Sequence, residues 1–140
     1  MRIMAVDLGK VRTGLALSDS GAFLASPLCV LREPHPDRLL ERVAKEARDR
    51  QAEEIVVGLP VNMDGSEGES ARGARAFADA LRERTGLPVV LRDERGTTVS
   101  AHGYLNVTDT RGQKRRALVD AVAATIILQD YLDYRRNRKG

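Results

Sequence analysis

Aromatic residues make up only 4% of this 140-residue chain, and cysteine occurs once. So few rings argue against a stacking platform of the kind an RRM sheet offers to RNA bases. Cys29, inside the apolar stretch SPLCVL, has no intramolecular disulfide partner. It is expected to pack in the core of a protein kept in a reducing cytoplasm. No run approaches the roughly 18 apolar residues that a bilayer span needs, and the first residues lack the pattern of a signal peptide. No membrane role is expected. The two histidines, His35 and His102, have no HxxxH spacing and no cysteine near them in sequence, which argues against zinc. Neither GxxxxGK[ST] nor GxGxxG occurs, so neither a P-loop nor a dinucleotide site is signalled.

What is present describes one folded domain. Apolar residues are 42% of the chain and charged residues 31%, enough for a core at this length. The domain is expected over 1–136, with a basic tail at 137–140. Strands are predicted at 2–8, 12–18 and 23–30, the first two joined as a hairpin around Gly9 and Lys10. A helix over 36–50 follows, with Pro36 and Asp37 in its first turn and Leu39, Leu40, Val43, Ala44 and Ala47 on one face. EEIVVGLP reads as a strand covered on both sides, as in a parallel sheet. A polar, mobile loop is expected at 61–68, a helix over 69–84 ending at Gly86 and Pro88, and a strand in LPVVLRDE. A helix at 97–107 and a last helix over 113–135 complete the order. Three strands followed by alternating helices and strands indicate an α/β sandwich around a mixed sheet.

Three carboxylates stand out against this framework. Asp7 ends the first apolar strand, and Glu94 follows the last one. Ligands of open α/β sheets gather at the carboxyl ends of strands. Asp120 has Ala124 at i+4 and Ile127 at i+7, bordering the apolar stripe 117, 121, 124, 128, 131. Each has a plainer reading: Asp7 caps the Gly9 turn, Glu94 lies on the surface, Asp120 pairs with Arg116. If the three converge, their repulsion requires cations between them. Oxygen donors of this type suit Mg²⁺ or Mn²⁺, and two such ions serve phosphodiester hydrolysis.

The basic residues are unevenly spread. Residues 111–140 carry eight Lys or Arg against three Asp, whereas the first 110 carry fifteen against seventeen acidic side chains. Nineteen of the 23 cations are arginine, the side chain best shaped for phosphate. The cluster RGQKRR, holding Lys114, Arg115 and Arg116, precedes Asp120 directly, so a polyanion is the expected partner.

DLGKVRTGLALSD, EEIVVGLPVNMDGSEG, RDERGTTVSA and KRRALVDAVAATIILQDYL together resemble the YqgF/RuvX family, over nearly the whole chain and in the same order. The resemblance implies an RNase H-like three-layer sandwich. It also implies a metal-dependent nuclease, described for this family both as a Holliday junction resolvase and as a pre-16S ribosomal RNA nuclease. It puts the metal-binding acids at Asp7, Glu94 and Asp120. Arg12, Asn62, Asp64, Gly65, Lys114 and Arg115 fall at motif positions, and the expected nucleic-acid contacts are Arg12, Asn62, Lys114, Arg115 and Arg116. Gly96 and Lys10 depart from the family's usual residues without removing a ligand. RNA is favoured over branched DNA as substrate, by a monomer or weak homodimer, because no dimer face can be read from the sequence. Two rivals remain: an actin-like ATP-binding protein, which 140 residues are too few to complete, and a non-catalytic RNA-binding protein of the same fold.

Overall fold

The computed structural model describes residues 1–93 and 112–139, with the side chains of 112–120, 138 and 139 outside that description. Glu94 and the helix expected at 97–107 also lie outside it. The described chain forms β1 (Ile3–Asp7), β2 (Arg12–Ser18), β3 (Ala25–Arg32), α1 (Pro36–Asp49), β4 (Glu54–Leu59), α2 (Glu69–Thr85), β5 (Val89–Asp93) and α3 (Gly112–Lys139). One sheet has the order β3-β2-β1-β4-β5. The first three strands are antiparallel neighbours, while β1, β4 and β5 run parallel.

The two sides of the sheet divide the core. Met4, Val6, Leu15, Ile55 and Val57 pack under α1 and α2, with Leu39, Val43, Phe77 and Leu81 among their partners. Ile3, Ala5, Ala16 and Val56 face the other way, onto Ala124, Ile127, Leu128 and Leu132 of α3. Because both sides are covered, β1 and β4 read as continuous apolar runs rather than alternating ones. The result is a three-layer α/β sandwich, as the sequence indicated.

Local chemistry sets the boundaries. Pro36 occupies the first turn of α1, where its missing N–H costs nothing. Gly86 ends α2 with φ of 71° and donates its N–H to Arg82 O, a conformation that glycine adopts without a Cβ penalty. Gly9 is needed at the β1–β2 turn, because a Cβ there would run into the Arg12 carbonyl oxygen.

Three expectations shift. The third strand begins at Ala25 rather than 23, because Asp19 Oδ1 accepts the N–H groups of Phe23 and Leu24 and ties both into the preceding turn. Pro27 is then placed on an edge strand at an irregular step of the β2–β3 ladder, where a missing donor is tolerated. The helical backbone of α3 continues past 135 to Lys139. The loop 61–68 is tied to itself: Asn62 Nδ2 donates to Ser66 Oγ (2.9 Å), and Ser66 Oγ to Asp64 Oδ1 (2.6 Å). Gly65, at φ of 90°, makes that tight turn possible.

Candidate active site

Asp7 is the last residue of β1, at the middle of the sheet, and it is half-buried. Alternation puts it on the side of Ile3 and Ala5, which is the α3 side. Its partner on β2 is Gly14. On β4, Val6 pairs with Val57, so the next step of that register sets Gly58 beside Asp7. A carboxylate on the central strand is thus flanked on both sides by residues without a side chain. Gly58 in turn pairs with Arg92 of β5, which puts the β1 and β5 backbones about 9.5 Å apart at this level.

Helix α3 reaches the same edge. The Tyr131 hydroxyl donates to Glu54 Oε2, and Glu54 is paired with Ile3. Arg135, one turn further on, reaches Met1. The helix therefore runs antiparallel to β1, with its start toward the carboxyl ends of the parallel strands. Eleven residues separate Tyr131 from Asp120, about 16 Å of helix. From Ile3 to Asp7 is about 13 Å of strand. Asp120 therefore lies on the part of α3 that leads toward the carboxyl ends of the parallel strands, and the first turns of α3, with Lys114, Arg115 and Arg116, come before it.

Of the expected carboxylate trio, Asp7 alone has a described side chain. Glu94 lies outside the described residues, as does the Asp120 side chain, and so do those of Lys114, Arg115 and Arg116. Arg12 starts β2, half-buried. Asn62 is exposed after β4, on the same edge, with its amide donating to Ser66. A groove of about 800 Å³ also opens here on the α1 and α2 side, lined by Leu8, Lys10, Leu39, Leu40 and Phe77. Its apolar walls and its position behind the sheet separate it from the side that Asp7 faces.

The sequence reading passed over Gly14 and Gly58. Each interrupts an otherwise well-formed strand, and a glycine in a buried strand marks a site of close approach. That was the available signal. It also left unremarked that Arg92 Nε bonds Asp130 Oδ2 of α3 (2.8 Å) while its guanidinium lies over the Tyr134 ring.

This architecture is an α/β fold of the RNase H-like class. Thermus thermophilus RuvC superposes with a TM-score of 0.60 at 17% identity, over 98% of this chain and 97% of that one. The fowlpox virus resolvase in complex with Holliday junction DNA gives 0.61 at 11% identity, over 96% and 98%. The chain belongs to the RuvX family, described as a Holliday junction resolvase, which matches residues 1–134. A relative from Anaeromyxobacter sp. (strain Fw109-5), named "Putative pre-16S rRNA nuclease", is 47% identical over 96% of this chain and 98% of its own. One of the same name from Roseiflexus sp. (strain RS-1) is 43% identical over 96% of each.

Proposed function

We propose that this chain is a divalent-metal-dependent nuclease that processes the 5′ end of pre-16S ribosomal RNA in the cytoplasm. Asp7, Glu94 and Asp120 are its metal-binding carboxylates in this reading. The observation that carries it is Asp7 on the central strand between Gly14 and Gly58, at the edge toward which α3 carries Asp120. Family membership and the relatives' shared name support the same reaction class.

The donor set fits the group it would hold. Carboxylates are hard oxygen donors suited to Mg²⁺ or Mn²⁺, and neither Gly14 nor Gly58 sets a side chain of its own beside Asp7. Bound there, one or two such ions would supply a more acidic water and offset charge on the leaving oxygen. The protein's own part is positional. Asp7 is held by β-pairing on both sides, which fixes its direction before any ligand arrives. Glu94 follows directly in sequence on Asp93, the last residue of β5. Arg12, Asn62, Lys114, Arg115 and Arg116 supply donors for the phosphates on either side of the cleaved bond.

RNA is preferred to a DNA junction as substrate. Symmetric resolution of a four-way junction needs two sites held by a two-fold dimer. Trimming a precursor needs one site and a shape-based grip, which a monomer provides.

The test compares precursor 16S RNA, generic single-stranded RNA and a mobile four-way DNA junction, each with Mg²⁺, Mn²⁺ or chelator. Metal-dependent cleavage of the precursor is expected, falling more than about a hundredfold in Asp7→Asn, on the scale of losing a metal-site interaction. Paired symmetric nicks in the junction with the RNAs intact would establish a resolvase instead. Binding without cleavage of any substrate would leave a non-catalytic RNA-binding protein.

A further inference from the structure

Three consecutive residues of α3 hold three different strands. Gln129 Oε1 accepts the N–H of Ala25 (2.9 Å), and its Nε2 donates to Phe23 O (3.0 Å). The side-chain amide thus pairs with the start of β3 much as a neighbouring strand would. Asp130 Oδ2 accepts Arg92 Nε of β5 (2.8 Å). Tyr131 donates its hydroxyl to Glu54 of β4. Among the described residues β3 and β5 are the edge strands of the sheet, and β1, which carries Asp7, lies at its middle. A single turn of α3 is therefore tied to both edges, with the strand of Asp7 in between.

These ties differ in kind from the other contacts of the helix. Ala124, Ile127, Leu128 and Leu132 meet Ile3, Ala5, Ala16 and Val56, and such apolar contacts are strong but non-directional. Hydrogen bonds fix direction. The Arg92–Asp130 pair leaves its side chains 28% and 50% exposed, so it adds little to stability. Its effect is on placement. Asp120 lies about 13 Å along the helix before Gln129, so a swing of about 5° at the tied turn displaces its backbone by about 1 Å. Metal sites respond to such shifts, since groups behind the ligands change metal affinity by about 10- to 100-fold.

We propose that Gln129, Asp130 and Arg92 are positioning residues: with Tyr131 they fix the direction of α3 over β1, and through it the affinity for divalent metal. The proposal rests on the nuclease reading above and adds residues that act on the metal site only through the helix.

Mn²⁺ uptake is followed without RNA, by loss of the free-ion EPR signal, together with the Mn²⁺ concentration that half-saturates cleavage of precursor 16S RNA. Arg92→Asp sets two carboxylates against each other. Its added negative charge would by attraction alone tighten Mn²⁺ binding. The anchor requires the reverse, a loss of about tenfold, with a urea midpoint close to the parent's. Exchanging the pair, Arg92→Asp with Asp130→Arg, restores the ion pair and the net charge and should recover affinity to within about threefold. Gln129→Leu should also lose about tenfold. Parental or tighter Mn²⁺ binding in either single variant, or a loss in Arg92→Asp that the exchange leaves in place, would overturn the anchor while leaving the nuclease reading intact. A parent protein that neither takes up Mn²⁺ nor cleaves RNA would overturn both.

Discussion

At the scale of single residues, what sets Asp7 apart is that both of its neighbours in the sheet are glycine. Gly14 and Gly58 are buried and belong to well-paired strands, so nothing in the ladder itself calls for glycine. A β-branched residue would suit the strand better by propensity. Gly58→Val should therefore fold with a penalty of at most about 1–3 kcal/mol, the usual cost of overpacking. It should also lose cleavage at least about tenfold, because the valine methyls occupy space next to the Asp7 carboxylate. Circular dichroism and cleavage rates, measured side by side, check this. A folded variant with the parental rate would mean that the space beside Asp7 is not used. Thr13, on the other side of the sheet, is fully buried with its hydroxyl oxygen unpartnered, and nothing in the structure explains it.

At the scale of elements, the ends of helices and strands are tied by exposed carboxylates. Phe23 and Leu24 N–H groups bonded to Asp19 hold its carboxyl below the ordinary 3.8. The Arg84 guanidinium, bridging α2 to α1, holds Glu41 below 4.5. A carboxylate depressed in the folded state contributes stability above its unfolded value and loses it as pH falls through the folded one. Stability should thus decline with acid below about pH 4.5. Asp19→Asn and Glu41→Gln should each flatten the decline slightly, since solvent and salt screen both sites. Urea midpoints followed from pH 6 to pH 3 would read this out, and a decline unaltered in both variants would count against it. The opening turns of α3 concentrate charge in the same way. Replacing Lys114, Arg115 and Arg116 together by Gln should weaken every nucleic-acid substrate by a similar factor. The slope of log K against log salt should become shallower by up to about 3. Titrations at several salt concentrations decide the point, and an unchanged slope would exclude this cluster from the substrate path.

At the scale of the whole molecule, the candidate site depends on α3 lying across one side of the sheet. That placement uses Ala124, Ile127, Leu128 and Leu132, together with Tyr131 bonded to Glu54 near the amino end of β4. Tyr131→Phe would leave a buried carboxylate without that donor, at a cost of about 1–3 kcal/mol. Because the same contact sets the helix's position along β1, cleavage should fall along with the unfolding free energy, measured in urea. Lost stability with full activity would show that the hydrophobic contacts alone hold α3 in register. Among the described residues, no helix is long and apolar enough to cross a membrane.

The amino-acid sequence by itself determined the elements and their covered sides. The unbroken apolar run of β4 required a strand with neighbours and layers on both sides, and Pro36 and Gly86 marked helix ends through their own backbone constraints. Asp7 was legible as a candidate because a carboxylate inside such a run is costly unless something meets it. Other features emerged only with the tertiary structure. Periodicity tells which side of a strand is covered, but not which strand lies alongside. Gly14 and Gly58 therefore became the two neighbours of Asp7 only through β1 pairing with both β2 and β4. The Asp19 turn that delays β3, and the contact joining Arg92 of one strand to Tyr134 of a distant helix, are likewise products of folding. Each joins groups whose meeting is decided by long-range packing, and no local pattern of residues encodes that.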